Sequence, residues 1–377
     1  MTSVAFGRPE GGLSYREARQ APCLECPTSP CCTYLLLANI EFGSLLDVDY
    51  AQYLLNFDGI YLNLGASGRS VQVYLYQACS NLDEPSGLCQ VHSTPLQPAV
   101  CVNYKSQTCG YRKTLTVDLH PKYPLLDRAR MDWFVERMVF DDDRKVVDVP
   151  GREELLEAFA QMPLERRPAP ATGSAAGEWR PVSLAPGPAA ERPMKGYGDS
   201  EVSDPCTSCD AWCCRVLEFD RGLPENASEM DSLWYALGFP SVELRVGPSS
   251  WAIVVHTTCR HLEGSRCAAY GSDERPLRCG YYDALNCDYR PHYGVAQPPW
   301  SVRVSREQFG LLADSLVFDN LGAVLAIPPI ELLRDRLGSA RPAPAEVVDP
   351  SRADAARGEN PSDPDSHPAT REEDPAT

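Results

Sequence analysis

The sequence predicts an α+β protein of two small duplicated domains, each a short antiparallel sheet with helices around a cysteine cluster. Three observations lead to this prediction. The sixteen cysteines fall into two equal sets, the sets repeat with nearly constant spacing, and the same strands and helix accompany each set. A period this long indicates a duplicated domain, because solenoid repeats span only about 20–50 residues.

The cysteine spacing defines the two copies. The last three cysteines of each set lie 178 residues apart and the first two lie 183 apart, so only small insertions separate the copies. The first set is Cys23, Cys26, Cys31, Cys32, Cys79, Cys89, Cys101 and Cys109. The second set is Cys206, Cys209, Cys213, Cys214, Cys259, Cys267, Cys279 and Cys287. We therefore predict a first domain at 20–162 and a second at 201–338, which we call the first half and the second half.

Strand and turn signals recur in both halves. Alternating apolar runs around Gly-containing turns predict a hairpin, and a further strand follows the paired cysteines. The predicted strands are Thr33–Leu37, Ile60–Leu64 and Val71–Gln77, then Arg215–Phe219, Val242–Val246 and Trp251–Thr257.

A helix with one apolar face follows the cysteines in each half. Asp127 and Ser305 are the predicted N-caps, and Gln308 would complete a capping box with Ser305. The apolar positions have helical spacing. They are Met131, Phe134, Met138 and Val139, matched by Phe309, Leu312, Leu316 and Val317.

Composition separates these halves from the rest of the chain. The segment 163–200 is rich in Pro, Ala and Gly and is predicted to be a linker. The segment 339–377 is acidic, without Leu, Ile or aromatic residues, and is predicted to be a disordered tail. Residues 1–20 are predicted to be a loose lead-in.

The charge excludes two classes of partner. Lys and Arg number 35 against 52 Asp and Glu, a net charge of −17, which disfavours nucleic-acid backbones and anionic membranes. The start of the sequence has neither the basic nor the apolar region of a signal peptide. We therefore expect a cytoplasmic protein with reduced thiols, whose partners are a metal ion and another protein.

The Cys-x-x-Cys steps indicate metal ligation, because two sulfurs on one tight turn suit a single metal centre. Thiolates bind zinc, iron or an iron–sulfur cluster, and the spacing does not choose among them. Eight cysteines exceed the ligands of one four-coordinate centre, which leaves two centres per half or one centre with spare thiols. Adjacent cysteines are expected to point apart if the chain is extended there.

A family resemblance rests on the second half. Its residues 206–214 read Cys-Thr-Ser-Cys-Asp-Ala-Trp-Cys-Cys, followed by Cys259, Cys267, the Arg275-Pro276 step before Cys279, and Cys287. Together these resemble the YkgJ-type cysteine-cluster family of zinc- or iron-chelating domains. The resemblance implies metal chelation by the cysteines. The first half departs from the pattern, with Gln97-Pro98 in place of Arg275-Pro276 and His92 in place of Tyr270.

Arginines accompany the second cysteine set only. Guanidinium groups beside a thiolate centre would offset its negative charge and donate hydrogen bonds to sulfur. We therefore expect the second half to hold its metal more tightly than the first. The predicted residues of this kind are Arg215, Arg260, Arg266, Arg275 and Arg278.

Three function classes are consistent with these observations. The first is a metal-binding cysteine-cluster protein with no chemistry and no catalytic residue of its own. The second is an enzyme resembling flagellin lysine-N-methylase, against which stands the absence of a nucleotide-binding motif in the sequence. The third is a disulfide-stapled binding protein.

Overall fold

The computed structural model describes residues 26, 29–83, 85–105, 109–115, 119–165, 210–282, 287, 289–293 and 300–338. The chain divides into two compact units, Met1–Leu337 and Gly338–Thr377. The predicted lead-in, the tail and all but the first three residues of the predicted linker lie outside the described residues. Both cysteine-containing halves belong to the first unit.

The fold is α+β, as predicted, and the element order of the first half recurs in the second. The strands of the first half are β1 (Tyr34–Glu41), β2 (Ile60–Leu64), β3 (Ser70–Tyr76), β4 (Leu82–Asp83), β5 (Leu88–Cys89), β6 (Leu125–Leu126), β7 (Val139–Phe140) and β8 (Val146–Asp148). Its α-helices are α1 (Leu45–Leu54), α2 (Ala99–Val102), α3 (Gly110–Thr114), α4 (Arg128–Val135) and α5 (Arg152–Ala160). A 3-10 turn, Pro30–Cys32, precedes β1.

The strands of the second half are β9 (Val216–Gly222), β10 (Val242–Val246), β11 (Trp251–His256), β12 (Leu262–Glu263), β13 (Arg266–Cys267), β14 (Val302–Val304), β15 (Val317–Phe318) and β16 (Val324–Ala326). Its α-helices are α6 (Ala227–Ala236), α7 (Leu277–Tyr281), α8 (Tyr289–Tyr293), α9 (Phe309–Ala313) and α10 (Ile330–Gly338). Its 3-10 turn is Trp212–Cys214. This one-to-one recurrence of elements supports the duplication.

Each half is built on a four-stranded antiparallel sheet with the same strand order. The first sheet runs β1-β3-β2-β6, and the second, read in the corresponding direction, runs β9-β11-β10-β14. The predicted hairpins are confirmed as the pairs β2–β3 and β10–β11. Gly68 adopts a φ of 72° in the first hairpin turn, a conformation that glycine reaches without steric cost. Strands β1 and β9, which follow the paired cysteines, are longer than the predicted strands Thr33–Leu37 and Arg215–Phe219.

The predicted helix face is only partly correct. Asp127 caps α4 as expected, and its carboxylate accepts the Arg130 N–H at 3.0 Å. Met131 and Phe134 are fully buried. Val139, however, lies in strand β7 and is 51 % exposed, because α4 ends at Val135 and the chain turns into a hairpin.

The same correction applies to the second half, where the helix is a single short turn. Helix α9 covers only Phe309–Ala313, and Val317 lies exposed in strand β15. Ser305 keeps half of the predicted capping box, since its N–H bonds the Gln308 side-chain oxygen at 3.1 Å. The Ser305 hydroxyl donates to the Glu307 carboxylate instead of capping a helix. Helix α9 therefore starts four residues after Ser305.

One hydrophobic core spans both halves. The largest cluster of buried side chains includes Leu62 and Phe134 from the first half with Leu244 and Trp251 from the second, all without exposed surface. Burial of such apolar surface contributes about 25 cal/mol per Å². Folding of one half therefore stabilises the other. No helix among the described residues is both long and apolar enough to cross a membrane.

Candidate metal centres

Four chain segments bring the first cysteine cluster together. Cys31 and Cys32 lie in the 3-10 turn, Cys79 follows strand β3, Cys89 ends strand β5, and Cys101 lies in helix α2. The Cys79 N–H donates to the Cys32 carbonyl at 2.7 Å, which joins the first two segments. The Ser29 hydroxyl donates to the Gly87 carbonyl at 2.6 Å, which ties the β4–β5 hairpin to the same turn.

The thiols of the first cluster surround a small cavity. Its volume is about 20 Å³, room for one water-sized species. Four cysteines line it: Cys32, Cys79, Cys89 and Cys101. The rest of the lining includes Trp234, Tyr235, Gly238 and Arg306, so the second half forms part of the cavity wall.

The second cluster has the same construction. The Cys259 N–H donates to the Cys214 carbonyl at 2.8 Å, the counterpart of the Cys79–Cys32 bond. The sulfurs of Cys213 and Cys214 lie 3.9 Å apart. Two thiolates on one tetrahedral zinc, each about 2.3 Å from the metal, would lie about 3.8 Å apart. Burial raises the pKa values of Cys267 and Cys279, and Cys213 and Cys259 are near enough for their charges to raise them further.

Adjacent cysteines are expected to point apart in extended chain, and that condition is not met at either pair. Both pairs lie in 3-10 turns instead of extended chain, and the turn brings their side chains onto one side. The residue before each turn, Ser29 or Ala211, has a positive φ of 38° or 57°. A left-handed conformation is costly for residues other than glycine. The same strained position thus recurs at the entry to both clusters.

The thiols perturb one another strongly. Burial raises the pKa of Cys101 to about 12, and the nearby Cys31, Cys79 and Cys89 add to the effect. Burial likewise raises the pKa of Cys279 to about 12. The opposite shift occurs where one thiol donates a hydrogen bond to its neighbour: Cys32 lowers the pKa of Cys31 to about 7, and Cys214 lowers that of Cys259 to about 7.

The predicted arginines divide into two groups. Arg275 and Arg260 lie against the second cluster, where their charges favour the thiolate forms of Cys279 and Cys259. The Arg275 Nη2 donates to the Cys279 carbonyl at 2.6 Å, and its Nε is buried without a hydrogen-bond partner.

Of the other three predicted arginines, Arg266 and Arg278 are exposed and Arg215 is half-buried. Arg215 donates to the carbonyls of Asp210 and Gly264 at 3.0 and 2.8 Å. The exposed Arg278 stacks on the Tyr50 ring at 4.5 Å. Arg266 is exposed in strand β13.

Three of the remaining predicted ligands, Cys23, Cys206 and Cys209, lie outside the described residues, and Cys26 and Cys287 are half-buried. Cys109 is buried at the start of helix α3, where its sulfur accepts the Arg112 N–H at 3.3 Å. In the described part of the chain, no disulfide joins two cysteines.

Sequence reasoning missed the residues that reach each cluster from the opposite half. Tyr235 donates to the Cys31 carbonyl at 2.5 Å, and Tyr53 donates to the Cys213 carbonyl at 3.3 Å. Gly238 approaches so closely that an added Cβ would lie 3.1 Å from the Cys79 sulfur and 2.9 Å from the Tyr235 carbonyl oxygen. The available signal was the retention of Tyr at both 53 and 235, 182 residues apart.

Among the described residues, no group of three or more His, Cys, Asp or Glu side chains is placed so that it could hold a metal ion. The cysteines of each cluster come from distant segments, and the Cys213 and Cys214 sulfurs lie 3.9 Å apart. Comparison with models of known families, with curated proteins and with solved structures found no match.

Proposed function

We propose that each half binds a metal ion, zinc or iron, through cysteine thiolates. The observation that carries the proposal is the cavity of about 20 Å³ lined by Cys32, Cys79, Cys89 and Cys101. Four sulfurs are the full ligand set of a tetrahedral thiolate site. The corresponding set in the second half is Cys214, Cys259, Cys267 and Cys279.

The donor chemistry of the cavity fits such an ion. Thiolates are soft ligands that prefer zinc, iron and iron–sulfur clusters over hard cations. The cavity volume suits one ion, which favours a mononuclear centre over a multi-iron cluster. In the second half, the unpartnered Nε of Arg275 is a donor suited to an anionic sulfur.

The proposal has two corollaries. The first is that the chain belongs to the YkgJ-type family, which the C-x-x-C-x-x-x-C-C motif of the second half and its later cysteines support. Thiolate ligands must also stay reduced, so we propose that the protein works in a reducing compartment such as the cytoplasm.

The test is metal analysis of the full chain purified under argon, with elemental analysis and an absorption spectrum. We expect two ions per chain. Replacing Cys79 and Cys101 by Ser is expected to remove one of them. The control is Leu96→Ser, an exposed position on the loop between Cys89 and Cys101. A chain without metal whose thiols are oxidised would instead support the disulfide-stapled alternative.

A further inference from the structure

Helix α6 of the second half holds a cysteine segment of the first. The Asp231 carboxylate accepts two backbone N–H groups, from Ala99 at 2.8 Å and from Val100 at 2.5 Å. These residues begin helix α2, which carries Cys101. Both oxygens of one side chain therefore satisfy the start of that helix.

The reverse contact occurs at the other cluster. Asp49, on helix α1 of the first half, accepts the N–H groups of Leu277 and Arg278 at 2.8 and 3.0 Å. These residues begin helix α7, which carries Cys279. Asp49 is 8 % exposed, so its carboxylate is buried in this contact.

The same two helices and the turns after them hold further cysteine segments. Besides the tyrosine contacts to Cys31 and Cys213, the Ser80 N–H donates to the Gly238 carbonyl at 2.8 Å. The Arg260 N–H donates to the Asn56 carbonyl at 2.7 Å. Ser80 and Arg260 directly follow Cys79 and Cys259. Three segments of each cluster are thus anchored on the opposite half.

A carboxylate is needed here because helices α2 and α7 are only four and five residues long. The first N–H groups of a helix have no partner within it, and a single turn is unstable by itself. Neither helix has a side-chain N-cap of its own, since the preceding residues are Pro98 and Pro276.

We propose that each metal centre is assembled across the two halves, with Asp231 positioning Cys101 and Asp49 positioning Cys279. This inference rests on the proposed metal function. Neither half then holds its ion without the other, and the duplicated chain acts as an internal dimer. The two aspartates are positioning residues, because they hold the helices that present the ligands.

The test uses the full chain loaded with Zn²⁺, the variants Asp231→Ala and Asp49→Ala, and alkylation of thiols read cysteine by cysteine by mass spectrometry. Asp231→Ala is expected to speed alkylation of Cys101 about tenfold, the lower end of the effect of losing a residue that orients a ligand. Cys279 should react as in the wild type. Asp49→Ala is expected to give the reverse pattern.

The crossed pattern distinguishes positioning from general destabilisation. Equal acceleration of both cysteines in both variants, or no acceleration in either, would overturn the inference. The Asn variants should give intermediate rates, because the amide keeps one acceptor oxygen, and they carry the test if an Ala variant fails to fold. If Zn²⁺ neither binds nor protects the wild-type thiols, the proposed function fails, whereas a crossed pattern in the metal-free chain would still show the positioning.

Discussion

Arg306, from the second half, and Cys79, from the first, line the same small cavity. The Arg306 side chain donates to the Ser80 hydroxyl at 2.9 Å and stacks on the Trp234 ring at 4.8 Å. Burial raises the pKa of Cys79, and the positive charge of Arg306 opposes that shift. The first cluster therefore has an arginine after all, supplied by the opposite half.

Replacing Arg306 by Gln is expected to weaken the first centre. Its loss removes a positive charge that offsets the thiolates and a side chain that lines the cavity, an effect of about 10-fold in metal affinity. The measurement is the rate at which a chelator removes Zn²⁺ from the full chain. The matched control is Arg137→Gln, because Arg137 also stacks on a Trp ring, that of Trp133 at 4.1 Å, but lies exposed just after the end of α4. Equal rates in both variants would contradict the prediction.

The sequence predicted much of the fold because hairpins and caps are local. Strand β2 begins and ends where its apolar run does, and Asp127 caps the helix that it directly precedes. The two wrong positions, Val139 and Val317, continue the helical spacing beyond the point where the helix ends. The pairing of each cluster with the opposite half was out of reach, because Asp49 and Leu277 are 228 residues apart and no local pattern joins them.

The shared core predicts that the halves unfold together. Phe57 is 1 % exposed in that core, and its backbone bridges to Cys259 of the second half. Phe57→Ala should cost about 3–5 kcal/mol and speed amide hydrogen exchange equally in the β2–β3 and β10–β11 hairpins. The control is Leu46→Ala, whose side chain is 59 % exposed. Faster exchange confined to the first half would show independent unfolding.

Glu243 predicts an acid dependence of stability. Its carboxylate lies 3.0 Å from His256 Nε2. Burial raises its pKa, but the hydrogen bond to His256 and the charges of His256 and Arg303 outweigh this and lower the pKa below its ordinary value. A carboxyl group whose pKa is lower in the folded protein than in the unfolded one stabilises the fold at pH values above its unfolded pKa of about 4.3. This stabilisation is lost as the pH falls through the folded-state pKa. Urea unfolding from pH 7 to pH 3 should show a smaller loss of stability in Glu243→Gln than in the wild type. The exposed Glu263→Gln should behave as the wild type does.

The two clusters are expected to release Zn²⁺ at different rates, and exchanging one residue between them tests this expectation. Arg275 lies against the second cluster, with its Nε buried and unpartnered. The corresponding residue of the first half is Gln97, whose side-chain oxygen accepts the Ser93 N–H at 2.7 Å. Arg275→Gln gives the second cluster the residue of the first, and it should release Zn²⁺ to a chelator about 10-fold faster.

The reciprocal change, Gln97→Arg, supplies a cation near the first cluster and should slow its release. Each variant is measured in the full chain, and the releasing half is identified by which cysteines become open to alkylation as the metal leaves. In the wild type the first half should release its ion sooner. The guanidinium of Arg275 covers the Tyr270 ring at 4.3 Å. If both halves release Zn²⁺ at equal rates and Arg275→Gln changes neither rate, Arg275 does not stabilise the thiolates, and its side chain serves only the packing against Tyr270.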